Sequence, residues 1–290
     1  MLVSNHTQST HTGLARTHGD MQQPMANSLV RALAGPYPDR ALRIVALMRN
    51  RRMEPTRGTY LALVTACAAG GRAATGVQLY RQLRSLGHEP SQEAGSALVV
   101  SLCEAGDVEA AEEVYADMRA CAGDPGPKQL PKRSRRPSRA AVATLADASA
   151  RRGALGRAKE HFTMLCADGD DARRAPLTLS HRNMWEALIE AACRKQDIGF
   201  ALDVFDTWKA AVAAQAAAPS LSVADVATRH PKLSNATLAF LESCCRQHPQ
   251  HEWRVYDVCA VMRRLKELKH EEALARPAKE SHHVASALDP

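Results

Sequence analysis

The chain has 290 residues, of which 45% are hydrophobic but only 4% aromatic, and a formal net charge of +7. A core drawn from Ala, Leu, Val and Met suits closely packed helices and rules against an all-β sandwich or barrel, which favour β-branched and aromatic residues. The ordinary apolar fraction rules out disorder throughout, and the positive balance points either to an anionic partner or simply to solubility.

Residues 1–22 are rich in Ser, Thr and His, with Asp20 their one acid and Arg16 their one arginine. They read as a disordered tail or a targeting segment. No apolar run in the chain reaches the length of a membrane span, so no membrane partner is expected. The eight cysteines form no C-x-x-C pair and sit in apolar runs. That usage suits buried thiols in a reducing compartment better than a disulfide framework.

From residue 23 the chain repeats itself. At an offset of 35, Leu63 falls on Leu98, Val64 on Val99, Gly71 on Gly106, Tyr80 on Tyr115, Leu83 on Met118 and Pro90 on Pro125. The same offset run backwards places Tyr80 on Val45, Leu83 on Met48 and Pro90 on Pro55. A fixed period in this range is the mark of a solenoid. Within a unit, Tyr60–Ala69 carries Tyr60, Leu63, Val64 and Cys67 at helical spacing. Gly70-Gly71 ends that stretch. A second amphipathic stretch, Ala73–Ser85, puts Val77, Tyr80 and Leu83 on one face, and a turn from Gly87 to Pro90 closes the unit. Each unit is thus a helical hairpin that must stack on its neighbours to bury both faces.

Later units keep the register with less sequence identity. Val142–Leu165 and Trp185–Trp208 place large apolar residues at the same stations, and a last unit begins near Asn235 with a longer turn from His248 to Trp253. The expected organisation is all-α: a tail at 1–22, an α-solenoid of about five to six stacked helical hairpins over 23–270, and a tail at 271–290. Insertions are expected near 124–139, 166–182 and 210–234.

The period, the Thr59-Tyr60 start, the central Gly71 or Gly106 and the closing Glu89-Pro90 resemble the pentatricopeptide repeat family, with Leu98–Arg119 the closest stretch. The resemblance implies that first helices line a concave groove holding single-stranded RNA, one base per repeat. It also implies base reading by the residue after the opening aromatic (Ala26, Leu61, Ser96, Ala143, Glu186, Leu238) and the one after the closing Pro (Thr56, Ser91, Gly126). Ala and Leu offer no hydrogen bond to a base edge. Among these positions Ser96 alone has the usual small polar character. A basic station late in the first helix, where the family meets the RNA backbone, corresponds to Ala34, Ala69, Glu104, Arg151, Arg194 and Arg246. Arg152 and Lys195 follow two of them. A row of Arg is what a phosphate chain needs, although cations also suit any helix C-terminus.

Two further clusters stand out. Lys132, Arg133, Arg135 and Arg136 lie in a basic block that can grip phosphates or be a solvated insertion. Cys244, Cys245, His248 and His251 have zinc-type side chains, but adjacent helical cysteines diverge, which favours packing over a metal site. No phosphate loop, dinucleotide fingerprint or catalytic triad order is visible. The expectation is a non-enzymatic binding module without cofactor or metal, acting on single-stranded RNA in a mitochondrion or chloroplast, and binding mainly through the backbone. The alternative is a protein-interaction scaffold of an organellar complex, its partner helix lying in the apolar groove of the first units.

Overall fold

A computed structural model describes residues 23–123, 136–167, 182–216, 233–263 and 267. Among these residues all regular structure is helical. First helices are α1 (23–34), α3 (Arg57–Ala69), α5 (Gln92–Glu104), α7 (Arg139–Arg151), α9 (Arg182–Arg194) and α11 (Asn235–Gln247). Each is followed by a second helix: α2 (Pro38–Asn50), α4 (Ala73–Ser85), α6 (Val108–Gly123), α8 (Leu155–Ala167), α10 (Ile198–Ala216) and α12 (255–263). The fold is the all-α solenoid of stacked hairpins that the 35-residue period predicts. The chain forms two compact units, Met1–Ala148 and Ser149–Pro290, with the boundary inside α7.

Local chemistry explains the helix ends. Thr56, Ser91, Ser138 and Ser234 each stand before a first helix, and each side-chain oxygen accepts from the backbone N–H three residues on. This satisfies one of the amides that a helix start leaves without a partner. Asp107 and Asp197 cap α6 and α10 in the same way. At the other end of α3, α5, α7 and α9 the chain turns in three residues. The N–H bonds Arg72 to Cys67, Asp107 to Leu102, Ala154 to Ser149 and Asp197 to Ala192 all run back five residues to a carbonyl. That pattern needs one left-handed residue before the donor. Gly71, Gly106 and Gly153 supply it, but in α9 the station is held by Gln196 at φ 60°.

The core in the first unit follows the repeat. Leu63 and Leu98, Val64 and Val99, and Leu83 and Met118 are buried pairs one period apart. α3 packs on α4, its hairpin partner, and on α5, the next first helix. Close approach between helices is set by glycine: a Cβ at Gly95 would stand 2.4 Å from Met118 Sδ. In the second unit aromatic rings take over. Phe162 meets Trp185 and Phe200 edge-on at centroid distances of 5.9 and 5.7 Å, tying α8, α9 and α10 together.

Second helices are also laced to one another by ions. Arg72 pairs with Asp39, Arg81 with Glu113, Arg84 with Asp117, Lys159 with Asp197, and Arg254 with Asp206. Tyr80 donates to Asp117 at 2.7 Å. Hydrogen bonding to the Lys159 ammonium holds the Asp197 carboxyl below its usual range.

Two outcomes follow. Gln196→Gly should raise stability by about 1 kcal/mol, because it removes a left-handed side-chain residue, whereas Gly106→Ala should lower it by about as much; urea midpoints read both. Asp197 binds its proton more weakly folded than unfolded, so its contribution is present above about pH 4 and is lost as pH falls through the depressed folded value. Asp197→Asn keeps the cap and should flatten the acid limb of the stability–pH curve, measured by thermal melts between about pH 2 and 5.

Candidate nucleic-acid interface

The side chains at the base-reading stations are used by the fold. Ser96 is the fifth residue of α5 and is 7% exposed; its Oγ accepts from the N–H of Ser138, the cap of the next first helix, at 2.8 Å. Glu186 is the fifth residue of α9, and its Oε1 accepts from the N–H of Ser234 at 2.7 Å. In the first hairpin the neighbouring Asn27 performs the task, accepting from Thr56 N–H at 3.0 Å and Thr59 Oγ1 at 2.7 Å. Ala143 is fully buried, and Leu61 is half-buried with no polar group. The second set is committed too, because Thr56 and Ser91 are helix caps. Gly126 lies outside the described residues. Ser96 therefore stands as a clamp between two first helices and is largely buried there. Sequence reading missed this because the donor comes from the following unit.

The basic station divides differently. Ala34 is buried, while Ala69 and Glu104 are exposed and carry no cation. Arg151 and Arg194 are each the thirteenth and last residue of their first helix and both are exposed. Arg152 and Lys195 follow them in the turns and are exposed as well. Arg246 departs from the row. The sequence register sets it 52 residues after Arg194, but the helix starts align Asn235 with Arg182, an offset of 53. Gln247 holds the thirteenth position, and Arg246 lies one residue earlier, about 100° round the helix. The same shift makes Leu238 the fourth residue of α11, fully buried, rather than the fifth.

Each of these arginines has an acid four residues before it: Asp147, Glu190 and Glu242. Arg194 meets Glu190 at 2.7 Å, and Arg246 meets Glu242 at 2.5 Å. Glu190 also accepts from Thr237 Oγ1 of α11 at 3.2 Å, so the carboxylate that steers Arg194 is itself anchored to the next hairpin. Pairs this exposed are worth at most about 1 kcal/mol, so the guanidinium can exchange its carboxylate for a phosphate. The cations of the second-helix layer are spent differently, on acids of neighbouring hairpins. Of the basic block, Arg136 is exposed just before the Ser138 cap. Lys132, Arg133 and Arg135 lie outside the described residues.

Cys193, Cys244 and Cys245 are buried. Burial pushes Cys245 up to about 11 and Cys103 up to about 12, so these thiols stay protonated at neutral pH. His248 Nδ1 lies 2.9 Å from the Cys244 carbonyl oxygen, which fixes the ring on the backbone. No group of three or more His, Cys, Asp or Glu that could hold a metal occurs among the described residues. None of the described helices is long and apolar enough to cross a membrane.

Residues 96–121, α5 and α6 of this fold, match the family model described as PPR repeat. The match falls on the stretch Leu98–Arg119 that resembles the pentatricopeptide repeat family. No curated protein matches the chain. Among solved structures, it is similar to the pentatricopeptide repeat protein PPR10 from maize, at 14% identity and a TM-score of 0.37, covering 91% of this chain and 41% of that one. A structure of PPR10 in complex with an 18-nt psaJ RNA element is similar at 13% identity and a TM-score of 0.29, covering 91% and 50%. The chain thus spans half or less of the length of these structures.

If Ser96 is a clamp, Ser96→Ala leaves a part-buried N–H without its acceptor and should cost about 1–2 kcal/mol of stability. Ser96→Thr, which restores the acceptor at the price of a methyl, should recover part of it. Chemical denaturation of the two variants checks this.

Proposed function

We propose that this chain is a non-enzymatic protein that binds single-stranded RNA through the phosphate backbone and discriminates poorly between bases. The observation that carries the reading is the pairing of exposed cations at one station: Arg151-Arg152 and Arg194-Lys195, each at the end of a first helix and the start of its turn. Neutralised phosphates release counterions, so closely repeated cations suit a polyanion. The PPR repeat at 96–121 supports RNA as that polyanion. The side chains at the reading stations support weak base preference, since Ser96 Oγ and Glu186 Oε1 accept from backbone amides and Ala143 and Leu61 are apolar. Arg246 adds a cation at the same end of α11, one position off the row. Arg136, with Lys132, Arg133 and Arg135 beside it in sequence, is a second, separable source of phosphate contacts. The finer part of the proposal, a role in mitochondrial or chloroplast RNA processing, stability or translation, rests on the family resemblance; imaging of a tagged chain tests it.

The scaffold reading needs large apolar anchors for a partner helix at i, i+3 and i+4 spacing. α1 exposes Met25 and Leu29 four residues apart, but α3 and α5 expose no large hydrophobic side chain, and the open side of α3 carries Gly58, Ala62, Thr65, Ala66 and Ala69 beside a half-buried Leu61. Small residues of this kind give a helix little to grip.

Replacing Arg151, Arg152, Arg194 and Lys195 together by Ala should weaken binding to homopolymer RNA. It should also lower the slope of log affinity against log salt by about 2 to 3, since each phosphate contact on a single strand contributes about 0.7. Oligouridylate and oligoadenylate should bind alike at fixed salt. An unchanged slope in this variant, with binding lost only when Lys132, Arg133, Arg135 and Arg136 are replaced, would sink the proposed site.

A further inference from the structure

The turn of the last hairpin is unlike the others. The turns 70–72, 105–107, 152–154 and 195–197 each take three residues, but α11 and α12 are joined through His248 and a 3₁₀ helix, Pro249–Arg254. The added length presents two aromatic rings to solvent. Trp253 is 65% exposed and Tyr256, the second residue of α12, is 81% exposed. The other two tryptophans, Trp185 and Trp208, are buried core residues. Rings this exposed contribute little to the core, and they are three residues apart, a spacing that puts both on one side of a helical turn.

The Trp253 ring is also held in place. The guanidinium of Arg254 lies 5.1 Å from its centroid. Arg254 is itself 13% exposed and fastened to Asp206 of α10 at 2.5 Å and to Asp257 at 3.2 Å. One side of the indole thus rests on a fixed cation while the ring as a whole remains mostly open. The turn joins the C-terminal end of α11, two residues past Arg246, to α12. In the two preceding hairpins the corresponding turns carry Arg152 and Lys195. Cations and aromatic rings therefore share one type of place in consecutive hairpins of the same unit.

We infer that Trp253, with Tyr256 beside it, is a stacking platform for an unpaired nucleobase of single-stranded RNA, at the end of the phosphate track begun by Arg151-Arg152 and Arg194-Lys195. The inference rests on the RNA reading proposed above. A π-face accepts any base, so the platform adds affinity without adding sequence preference. It also supplies what the first-helix stations cannot, a contact to a base rather than to the backbone. The cation under the indole strengthens the ring as a platform by fixing its orientation, so less freedom is lost when a base stacks.

The full-length chain is titrated at low salt with an oligouridylate and with an abasic ribose-phosphate oligomer of equal length, each followed by anisotropy of an end label and by tryptophan emission. Oligouridylate should quench the emission of Trp253, while the abasic chain should bind without quenching. Trp253→Ala should bind oligouridylate about tenfold more weakly, bind the abasic oligomer as the parent does, and leave the circular dichroism unchanged; Trp253→Phe should recover most of the loss. If Trp253→Ala binds oligouridylate as the parent does, while the cation variant is weakened, the platform is wrong and the RNA reading stands. If neither oligomer binds the parent, the RNA reading fails and the platform with it. If light scattering finds a dimer that Trp253→Ala dissolves, the rings are a contact between copies and the inference is overturned.

Discussion

Three first helices, α3, α7 and α11, bring the amide of the cap residue against an earlier first helix, and that amide needs an acceptor. Asn27 supplies one to Thr56, Ser96 to Ser138 and Glu186 to Ser234. An N–H left without a partner in such a contact costs as much as several favourable contacts return. The bond therefore sets how consecutive first helices lie side by side. It decides which residues of a first helix are used up by the fold and which remain for a ligand.

In α5 and α9 the acceptor is the fifth residue, which is also where a base-reading side chain would stand. Ser96 Oγ and Glu186 Oε1 are thereby tied to the next first helix. The cations of the proposed site lie at the far end of the same helices, where the chain turns. Arg194 shows the two ends connected, since Glu190 holds it at 2.7 Å while also accepting from Thr237 of the next hairpin. On the RNA reading proposed above, the interface is electrostatic, with contacts to the phosphate backbone rather than to base edges.

Turn length is the second lever. The three-residue turns place the exposed side chains of Arg152 and Lys195 at the hairpin edge. The longer last turn instead exposes Trp253, with Tyr256 just beyond it at the start of α12. In the same unit Phe162, Trp185 and Phe200 meet edge-on in the core, while Trp253 and Tyr256 stand exposed.

The sequence by itself determined the hairpins. The 35-residue offset of Leu63 with Leu98 and Gly71 with Gly106 reports a local pattern, repeated, and helix periodicity, caps and turn residues all act within a few positions of one another. α4 accordingly runs from Ala73 to Ser85, as its apolar spacing predicts. The cations at Arg151 and Arg194 were legible for the same reason. What only the tertiary structure decided was the fate of side chains whose partners come from the next hairpin. Ser96 looks like a base reader until Ser138, 42 residues away, donates to it. Arg246 looks like the third member of a row until the cap at Ser234 moves the register of α11 by one residue and turns that side chain about 100°. No spacing rule within one unit contains the partner that a neighbouring unit brings, and in a stacked fold that partner settles which polar groups remain for function.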